Sequence, residues 1–222
     1  MMPKRVLSEH RPWLLCSLAA SLAFYLVSKQ LVLSEPMPEL YQAILKGGGV
    51  GFLAVYAWVR HSELSAKLIS IVMVFGALGD ALLDLFFEVG AGFFFVGHLV
   101  ACLLYLINRR ANYQFSQIGA SLVLFLITPL VSWLLTRDPL VLLYSVALGA
   151  MAGCAWASRF SRYRVGLGAV LFVVSDWLIF AGMGISSAEP LAKWLVWPIY
   201  YAGQFLIATG IIQTLRSDLA SA

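Results

Sequence analysis

Runs of about 20 apolar residues recur along almost the whole chain, and they constrain its fold more than any other feature. An α-helix rises 1.5 Å per residue, so about 20 residues cross the roughly 30 Å hydrocarbon core of a bilayer. Only 12% of the residues are charged, against about 25% in ordinary soluble domains. The sequence therefore predicts a polytopic integral membrane protein and argues against a pair of soluble domains.

The apolar runs predict an all-α bundle of eight transmembrane helices. The predicted spans cover residues 13–33, 39–59, 66–87, 91–107, 115–135, 139–157, 165–185 and 192–214. The first run resembles a signal peptide, but it continues to residue 33 and is interpreted as a retained span. Because every predicted connection is short, we interpret residues 1–222 as one integral membrane domain.

The positions of the basic residues predict the orientation of the chain. Eight spans place both termini and three connections on one side, and that side collects 11 of the 15 basic residues: Lys4, Arg5, Arg11, Arg60, Lys67, Arg109, Arg110, Arg159, Arg162, Arg164 and Arg216. Because cytoplasmic loops carry the excess of Lys and Arg, both termini are predicted to be cytoplasmic. The compact loops favour a bacterial inner membrane, and no basic and aromatic stripe indicates nucleic-acid binding.

Ionisable side chains inside the predicted spans are the first candidates for function. The segment GDALLDLFFEVGAGFFFVGH places acids at every fourth position, Asp80, Asp84 and Glu88, and ends at His98. Asp176 lies near the middle of the seventh span. A charge inside a bilayer costs about 2.5–3.5 kcal/mol, so such residues usually mark a site or a pathway. Asp80 and Asp176 are predicted to lie deepest and to be functional.

The other polar residues of this region leave alternatives open. Asp84 lies one helical turn outward from Asp80, where it would act in the site, reach water or pair with Lys46. Lys46 is either a counter-ion or a lysine that extends its amine to the interface. Glu88 fits the interface better than a site. His98 enters from the same rim, opposite the acids of the third span, which favours a functional role.

Further polar residues are expected at the same depth in the eighth span. They are Tyr200, Tyr201 and Gln204, with Trp197 close by. The segments GDALLDLF and SDWLIFAG share a small residue followed by an aspartate, and they lie four spans apart. A parallel repeat of four helices would bring the two deep aspartates to one cavity.

Neither a metal nor another cofactor is expected. One intramembrane histidine with scattered acids makes a poor zinc site. Cys16, Cys102 and Cys154 each fall within an apolar run and lack the spacing of a disulfide framework or a zinc site. They are predicted to be buried small hydrophobic residues.

Four motifs occur in order along the spans. They are GDALL at 79–83, GxxFFxxGH ending at His98 with Tyr105 seven residues on, SDWLIF at 175–180, and WPIYYAGQFLIA at 197–208. Together they resemble the lysoplasmalogenase (YhhN) family of eight-span membrane proteins, over nearly the whole chain from the second span onward. The small basic motif of that family is matched only loosely, by Leu45-Lys46-Gly47.

The resemblance implies hydrolysis of the vinyl ether bond of lysoplasmalogens. The products would be a fatty aldehyde and glycerophosphocholine or glycerophosphoethanolamine. The resemblance assigns catalytic roles to Asp80 and Asp176 and a site role to His98. Apolar surroundings favour the neutral form of one carboxylic acid, which can protonate the vinyl ether, while a second, ionised carboxylate stabilises the cation and activates water. Two carboxyl groups share the work of glycoside hydrolysis in the same way.

The expected partner is a single-chain lysophospholipid bound in a cavity between helices. Aromatic residues such as Trp197 and Tyr201 would contact its alkenyl chain or a cationic choline group. The alternative function is a proton-coupled transporter or channel, because intramembrane acids also act as proton relays. A lipid-binding protein without chemistry would leave the two deep aspartates unexplained. No oligomeric state is predicted.

Overall fold

The computed structural model describes residues 11–33, 35–112 and 114–221, and most of them are helical. The α-helices are α1 (Arg11–Ser28), α2 (Glu39–Arg60), α3 (Leu64–Leu83), α4 (Phe87–Ile107), α5 (Phe115–Thr136), α6 (Pro139–Ala157), α7 (Leu167–Gly184) and α8 (Glu189–Ser221). A π-helical turn, Arg162–Gly166, leads into α7, and a 3₁₀ turn, Ser186–Ala188, precedes α8. These ranges contain no strand, so the all-α prediction is confirmed.

The helices have the length and composition of membrane spans. Seven helical segments of the described chain, from α2 onward, are long and apolar enough to cross a bilayer. The apolar part of α1, Pro12–Ser28, is shorter. The chain is thus a polytopic integral membrane protein, as predicted. The side on which its termini lie stays a prediction, and Lys4 and Arg5, which entered that prediction, lie outside the described residues.

The predicted end of the first span was wrong. Helix α1 ends at Ser28 rather than at residue 33. Gln30 has a left-handed φ of 53°, and the N–H of Leu31 donates to the carbonyl of Leu26 over 2.9 Å. The N–H of Gln30 donates to the carbonyl of Val27 over 2.9 Å. This is the Schellman arrangement, which satisfies the last carbonyl groups of a helix. The prediction ran past it because the residues that follow are apolar and keep the hydropathy of the segment high.

The predicted end of the third span, at residue 87, was also wrong. Helix α3 ends at Leu83, Asp84 caps its C-terminus, and Glu88 lies in the first turn of α4. The N–H groups of Leu85 and Phe86 both donate to the carbonyl of residue 82 and close the turn. The residues between the two helices are apolar, so hydropathy does not distinguish this turn from a continuing span. Only Asp80 and the capping Asp84 share one helix end.

The described residues fall into two compact units. Unit 1 takes in the residues up to Gly97 together with those from Leu215 onward, and unit 2 runs from His98 to Thr214. The boundaries fall within α4 and α8. Asp80 belongs to unit 1 and Asp176 to unit 2, so each unit contains one of the two deep aspartates. A single membrane domain and a four-helix repeat stay predictions.

In unit 1, α2 packs between α1 and α3. Polar side chains join these helices: Ser17 Oγ donates to the carbonyl of Gly49 over 2.5 Å, and Ser70 Oγ donates to the carbonyl of Ala54 over 2.8 Å. Small residues and hydroxyl hydrogen bonds are the usual means of helix association in membranes, where the hydrophobic effect does not draw helices together. The unit therefore has the interior of a membrane bundle.

In unit 2, α5, α6 and α7 pack against one another. Helix α6 begins with Pro139, whose missing N–H is no loss at a first helical position, and Asp138 accepts hydrogen bonds from the next two N–H groups. Ser121 Oγ donates to the carbonyl of Gly153 over 2.7 Å and joins α5 to α6. Trp177 Nε1 donates to the carbonyl of Thr128 over 3.3 Å and joins α7 to α5.

Helices α7 and α8 approach each other closely at two glycines. A Cβ atom added to Gly168 would lie 2.7 Å from the carbonyl oxygen of Gly203, and a Cβ atom added to Gly203 would lie 2.7 Å from the carbonyl oxygen of Gly168. Both distances are shorter than van der Waals contact, so neither position admits a side chain without displacing backbone. This contact holds the polar face of α7 against α8.

Candidate functional site

The candidate site of unit 2 is built on one face of α7. Gly168, Phe172, Asp176 and Phe180 follow one another at intervals of four residues, and all four are buried. Residues with this spacing lie above one another on a helix. Gly168, the first of the four, contacts α8, so this face of α7 lies in the interior over the next turns as well. Asp176 is accordingly only 5% exposed.

Asp176 takes part in a hydrogen-bonded chain that crosses three helices. The hydroxyl of Tyr144 on α6 donates to Asp176 Oδ2 over 2.7 Å. Nε2 of His98 on α4 lies 3.1 Å from the same tyrosine oxygen. His98 is 3% exposed and therefore as buried as the aspartate. The sequence predicted functional roles for both His98 and Asp176, and the structure joins them through Tyr144.

The direction of this chain follows from the number of protons available. Tyr144 has a single hydroxyl hydrogen, which it gives to Asp176, so its oxygen is left as an acceptor for an N–H of His98. His98 then carries a proton on Nε2. Ser175 Oγ lies 3.4 Å from Asp176 Oδ1, and it donates to the carbonyl of Phe172 over 2.7 Å. The contact of Oδ1 with the Ser175 hydroxyl is thus longer than the hydrogen bond of Oδ2 with the Tyr144 hydroxyl.

Aromatic rings enclose this polar chain. The ring of His98 meets Phe172 edge to face, with centroids 5.0 Å apart and planes at 74°. Tyr144 meets Phe180 in the same manner at 6.1 Å. Such T-shaped contacts are favourable and exclude water without adding hydrogen-bonding groups. The rings therefore give the carboxyl group of Asp176 apolar surroundings.

The residues predicted on the eighth span extend this cluster. The ring of Tyr200 meets Phe172 at 5.1 Å, and Gln204 Nε2 donates to the Tyr200 hydroxyl over 3.1 Å. Trp197 lies 5.6 Å from Tyr200 and 6.1 Å from Tyr201, measured between ring centroids. All four α8 residues are buried. The structure therefore places Trp197, Tyr200, Tyr201 and Gln204 in one group that adjoins His98 through Phe172.

Tyr105 lies elsewhere. It is 1% exposed, and its ring meets Phe160 edge to face with centroids 6.3 Å apart. Tyr105 follows His98 by two helical turns on α4, toward the end that connects to α5. Its observed contact is thus with the hydrophobic core at that end of unit 2.

Three predicted residues belong to unit 1. Lys46 Nζ lies 2.7 Å from Asp84 Oδ2, so the ion pair that the sequence left open is present. The side chain of Asp84 is 62% exposed, whereas that of Lys46 is 11% exposed and lies over the ring of Phe24 at 5.7 Å. Asp80 is 2% exposed. The predicted depth of Asp80 agrees with this burial, and Asp84 shows two of the alternatives that the sequence left open, since it pairs with Lys46 and is largely exposed.

The neighbour of Asp80 explains its burial. A Cβ atom added to Gly79 would lie 2.7 Å from ring atoms of Phe94, so the phenyl ring occupies the space of the missing side chain. Phe94 itself is buried, at 7% exposed. The glycine before Asp80 and the phenylalanines of the GxxFFxxGH motif therefore serve one contact between α3 and α4.

Tyr144 is the member of the site that sequence analysis missed. It lies in the apolar run PLVLLYSVALGA, where one tyrosine reads as an ordinary hydrophobic residue. Its partners precede it by 46 residues and follow it by 32 residues in the sequence, so no local spacing points to it. The available signal was weak: a hydroxyl in a predicted span without charge, at the depth assigned to Asp176.

The sequence also made predictions about metal-binding groups and about the three cysteines. Within the described ranges, no group of three or more His, Cys, Asp or Glu side chains is arranged to hold a metal ion. The three cysteines are free, but they are not fully buried as predicted: Cys16 is exposed, and Cys102 and Cys154 are half-buried. An exposed position on a membrane helix faces lipid, where a thiol is as acceptable as in a core.

An apolar groove lies in unit 1, between α2 and α3. Its volume is ≈ 370 Å³, and it is lined by Gly51, Ala54, Val55, Trp58, Ser70, Val74, Ala77 and Leu78. None of the predicted site residues lines it. The predicted cavity between the two aspartates stays a prediction.

Comparison with known proteins agrees with the motifs. The model of the YhhN family matches residues 41–211, which include α3, α4, α5, α6, α7 and most of α2 and α8. No curated protein and no solved structure matches the sequence. The family match covers Asp80, Tyr144 and Asp176 as well as the motifs around them. Since it extends over well more than half of the residues, the chain belongs to the YhhN family.

Proposed function

We propose that this protein hydrolyses the vinyl ether bond of lysoplasmalogens and releases a fatty aldehyde and a glycerophospho-alcohol. The observation that carries the proposal is the buried chain from His98 through Tyr144 to Asp176. Membership of the YhhN family supports it, because the motifs that resemble lysoplasmalogenases include both aspartates. The chain is an integral membrane protein of this family.

In the proposed reaction, Asp176 is the proton donor. A vinyl ether is cleaved when a proton adds to its β-carbon, which leaves an oxocarbenium ion on the α-carbon and the ether oxygen. A neutral carboxylic acid is the required donor, and burial among apolar groups disfavours the ionised form. Tyr144 binds Oδ2 of Asp176, so the proton to be transferred is carried by Oδ1.

Tyr144 and His98 stabilise the product of this transfer. When Asp176 loses its proton, the hydrogen bond from Tyr144 becomes charge-assisted and gains strength. The N–H of His98 donates to the Tyr144 oxygen and polarises the hydroxyl further toward the carboxylate. These hydrogen bonds thus stabilise the transition state more than the ground state, which is the condition for catalysis.

Water completes the reaction. It adds to the α-carbon of the oxocarbenium ion, and the resulting hemiacetal collapses to aldehyde and alcohol. The attacking water must give up a proton, and the proposal assigns its removal to the second buried aspartate, Asp80. Collapse of the hemiacetal only moves its hydroxyl proton to the leaving glycerol oxygen. The proton that Asp80 takes from water equals the one that Asp176 gives to the β-carbon, so exchange of one proton with solvent at each carboxyl group returns the enzyme to its initial state.

The surroundings of Asp176 suit the substrate. The alkenyl chain is apolar, and the rings of Phe172, Phe180 and Trp197 belong to the aromatic cluster around Asp176 in unit 2. A choline or ethanolamine group is a cation, which binds favourably on an aromatic face such as that of Tyr201. The hydrogen bond from Gln204 Nε2 to the Tyr200 hydroxyl adds a polar pair to this aromatic cluster, which suits the glycerol end of the substrate.

The test is a direct assay of the purified protein. Incubation with 1-alkenyl lysophosphatidylcholine should release free fatty aldehyde, detected by hydrazone formation. The matched control is the 1-alkyl analogue, whose saturated ether forms no oxocarbenium ion on protonation and should stay intact. The 1-acyl analogue distinguishes this activity from that of a lysophospholipase. Absence of aldehyde, together with proton uptake into liposomes that contain the protein, would favour the transporter alternative instead.

A further inference from the structure

Five arginines gather at one end of unit 2, and we name them the arginine patch: Arg109, Arg110, Arg159, Arg162 and Arg164. The first two follow α4, and the other three follow α6. Both helices end at this level, so the two connections lie side by side. All five residues are arginine and none is lysine, although the chain uses lysine elsewhere.

Hydrogen bonds hold the two connections together. Arg109 and Ser158 form an antiparallel bridge. Arg110 Nε donates to the carbonyl of Ser158 over 2.7 Å, and its Nη2 donates to the carbonyl of Phe160 over 3.2 Å. Arg159 Nε donates to Oδ1 of the buried Asn108 over 2.9 Å. The side chains of Arg110 and Arg159 and the backbone of Arg109 are therefore held in place at this end of the unit.

Buried hydrophobic residues anchor the connection that follows α6. Phe160 and Val165 are both fully buried, and a π-helical turn carries Arg162 and Arg164 on either side of Tyr163, which is 84% exposed. The carbonyl of Ser161 accepts the N–H of Val165 over 2.8 Å and anchors the turn. Between these two buried residues, Tyr163 and Arg164 are exposed and Arg162 is half-buried.

No acid of unit 2 lies at this end. Unit 2 contains three acids: Asp138 caps the opposite end of α6, Asp176 lies in the middle of α7, and Glu189 pairs with Lys193 at the start of α8. The hydrogen bonds of Arg110 go to neutral carbonyl groups, which leave its charge uncompensated. The unit therefore presents a concentrated positive charge beside a membrane span.

We propose that the arginine patch binds the phosphate group of an anionic membrane phospholipid. Guanidinium groups bind phosphate oxygens in pairs, which explains arginine in place of lysine. Basic groups next to transmembrane helices attract anionic lipid headgroups. The end of a membrane helix lies at the headgroup level, and the exposed aromatic ring of Tyr163 suits that interface.

The patch does more than orient the chain. A topological signal requires only positive charge on one side of the membrane, and lysine serves it as well as arginine. The guanidinium group of Arg110, held by hydrogen bonds to the carbonyls of Ser158 and Phe160, is pre-organised, which lowers the entropy lost when a ligand binds beside it. The lipid proposed here is a permanent partner at a surface away from the reaction and is distinct from the substrate.

The experiment compares two double variants with equal changes of charge. Arg162→Gln/Arg164→Gln removes two charges from the patch, and Arg137→Gln/Lys193→Gln removes two charges from the opposite end of the same unit. Native mass spectrometry of the full chain in detergent would measure the affinity for phosphatidylglycerol, with phosphatidylcholine and inorganic phosphate as separate probes. Thermal unfolding without added lipid would check that each variant is folded. Arg162→Lys/Arg164→Lys keeps the charge but not the guanidinium groups.

The patch variant should bind phosphatidylglycerol about tenfold more weakly than the parent protein, and the control variant less than about twofold more weakly. Phosphatidylcholine should bind each protein equally, and inorganic phosphate should not compete at equal concentration. The lysine variant should keep only part of the affinity. Equal losses in the patch and control variants would overturn the proposal, because they would show a general attraction by net charge. Unchanged affinity in the patch variant would overturn it as well.

Discussion

The hydroxyl of Tyr144 lies between two buried polar groups, 2.7 Å from Asp176 Oδ2 and 3.1 Å from His98 Nε2. It joins α4 to α7 through α6. A single oxygen atom thus connects the histidine and the aspartate that the motifs singled out. Single substitutions can separate the roles of these groups and of the second aspartate.

Removing the Tyr144 hydroxyl should slow the reaction without unfolding the protein. In Tyr144→Phe, Asp176 loses the donor that stabilises its ionised form, so kcat should fall by about 10²-fold while KM changes little. Tyr41→Phe is the control, because Tyr41 is 59% exposed at the start of α2. Steady-state aldehyde release measures both constants. A kcat within about twofold of the parent value would exclude a role for the hydroxyl.

Asp176→Asn should abolish hydrolysis. The amide has no acidic proton to give to the β-carbon, so turnover should fall by at least about 10³-fold. The fold should persist, because the neutral amide is easier to bury than a carboxylate. Asp138→Asn is the matched control, since asparagine caps a helix as well as aspartate does. Substantial aldehyde release by Asp176→Asn would contradict the proposed donor.

Asp80 and Asp84 should respond differently to the same change. Asp80 is buried and is assigned to water activation, so Asp80→Asn should also abolish turnover. Asp84 pairs with Lys46 but is mostly exposed, and its loss should cost less than about tenfold in kcat/KM. Both variants are compared by aldehyde release at equal amounts of folded protein. A comparable loss of turnover in Asp84→Asn would indicate that Asp84, and not Asp80, is the second catalytic carboxylate.

His98 should act through Tyr144 rather than independently. His98→Ala should lower kcat and change the shape of the pH–rate profile, because it removes a titratable group from the chain. In the double variant His98→Ala/Tyr144→Phe, the loss should be no larger than that of the more damaging single variant. Additive losses would show that the two residues act separately. A pH–rate profile unchanged in shape and height for His98→Ala would return this residue to a structural role.

The contact between Gly168 and Gly203 should control the stability of unit 2. Gly168→Ala forces a methyl group against the backbone of α8, so it should lower the free energy of unfolding by about 1–3 kcal/mol. Gly119→Ala is the control, because a Cβ atom there meets nothing within 4 Å. That change should leave the stability unchanged or raise it by up to about 1 kcal/mol. Thermal unfolding in detergent compares the two, and equal effects would contradict the close approach.

The class of protein and its helices could be predicted from the sequence alone. A bilayer requires about 20 apolar residues per helix whatever the helix packs against, so hydropathy locates the spans without tertiary information. The same physics singled out Asp80 and Asp176, because a carboxylic acid in an apolar run is costly wherever its partners lie. The ends of α1 and α3 were misplaced, since turns built from apolar residues do not lower the hydropathy.

Only the tertiary structure decided which polar groups meet. Each helix can rotate about its axis without any change in hydropathy, so the sequence left the partners of His98 and Lys46 open. Close approaches such as that of Gly168 to Gly203 set those rotations. They turn Asp176 toward Tyr144, a residue that looks like ordinary core in its own helix. The hydrogen-bonded chain depends on contacts between residues far apart in the sequence, and no single helix carries the information that specifies it.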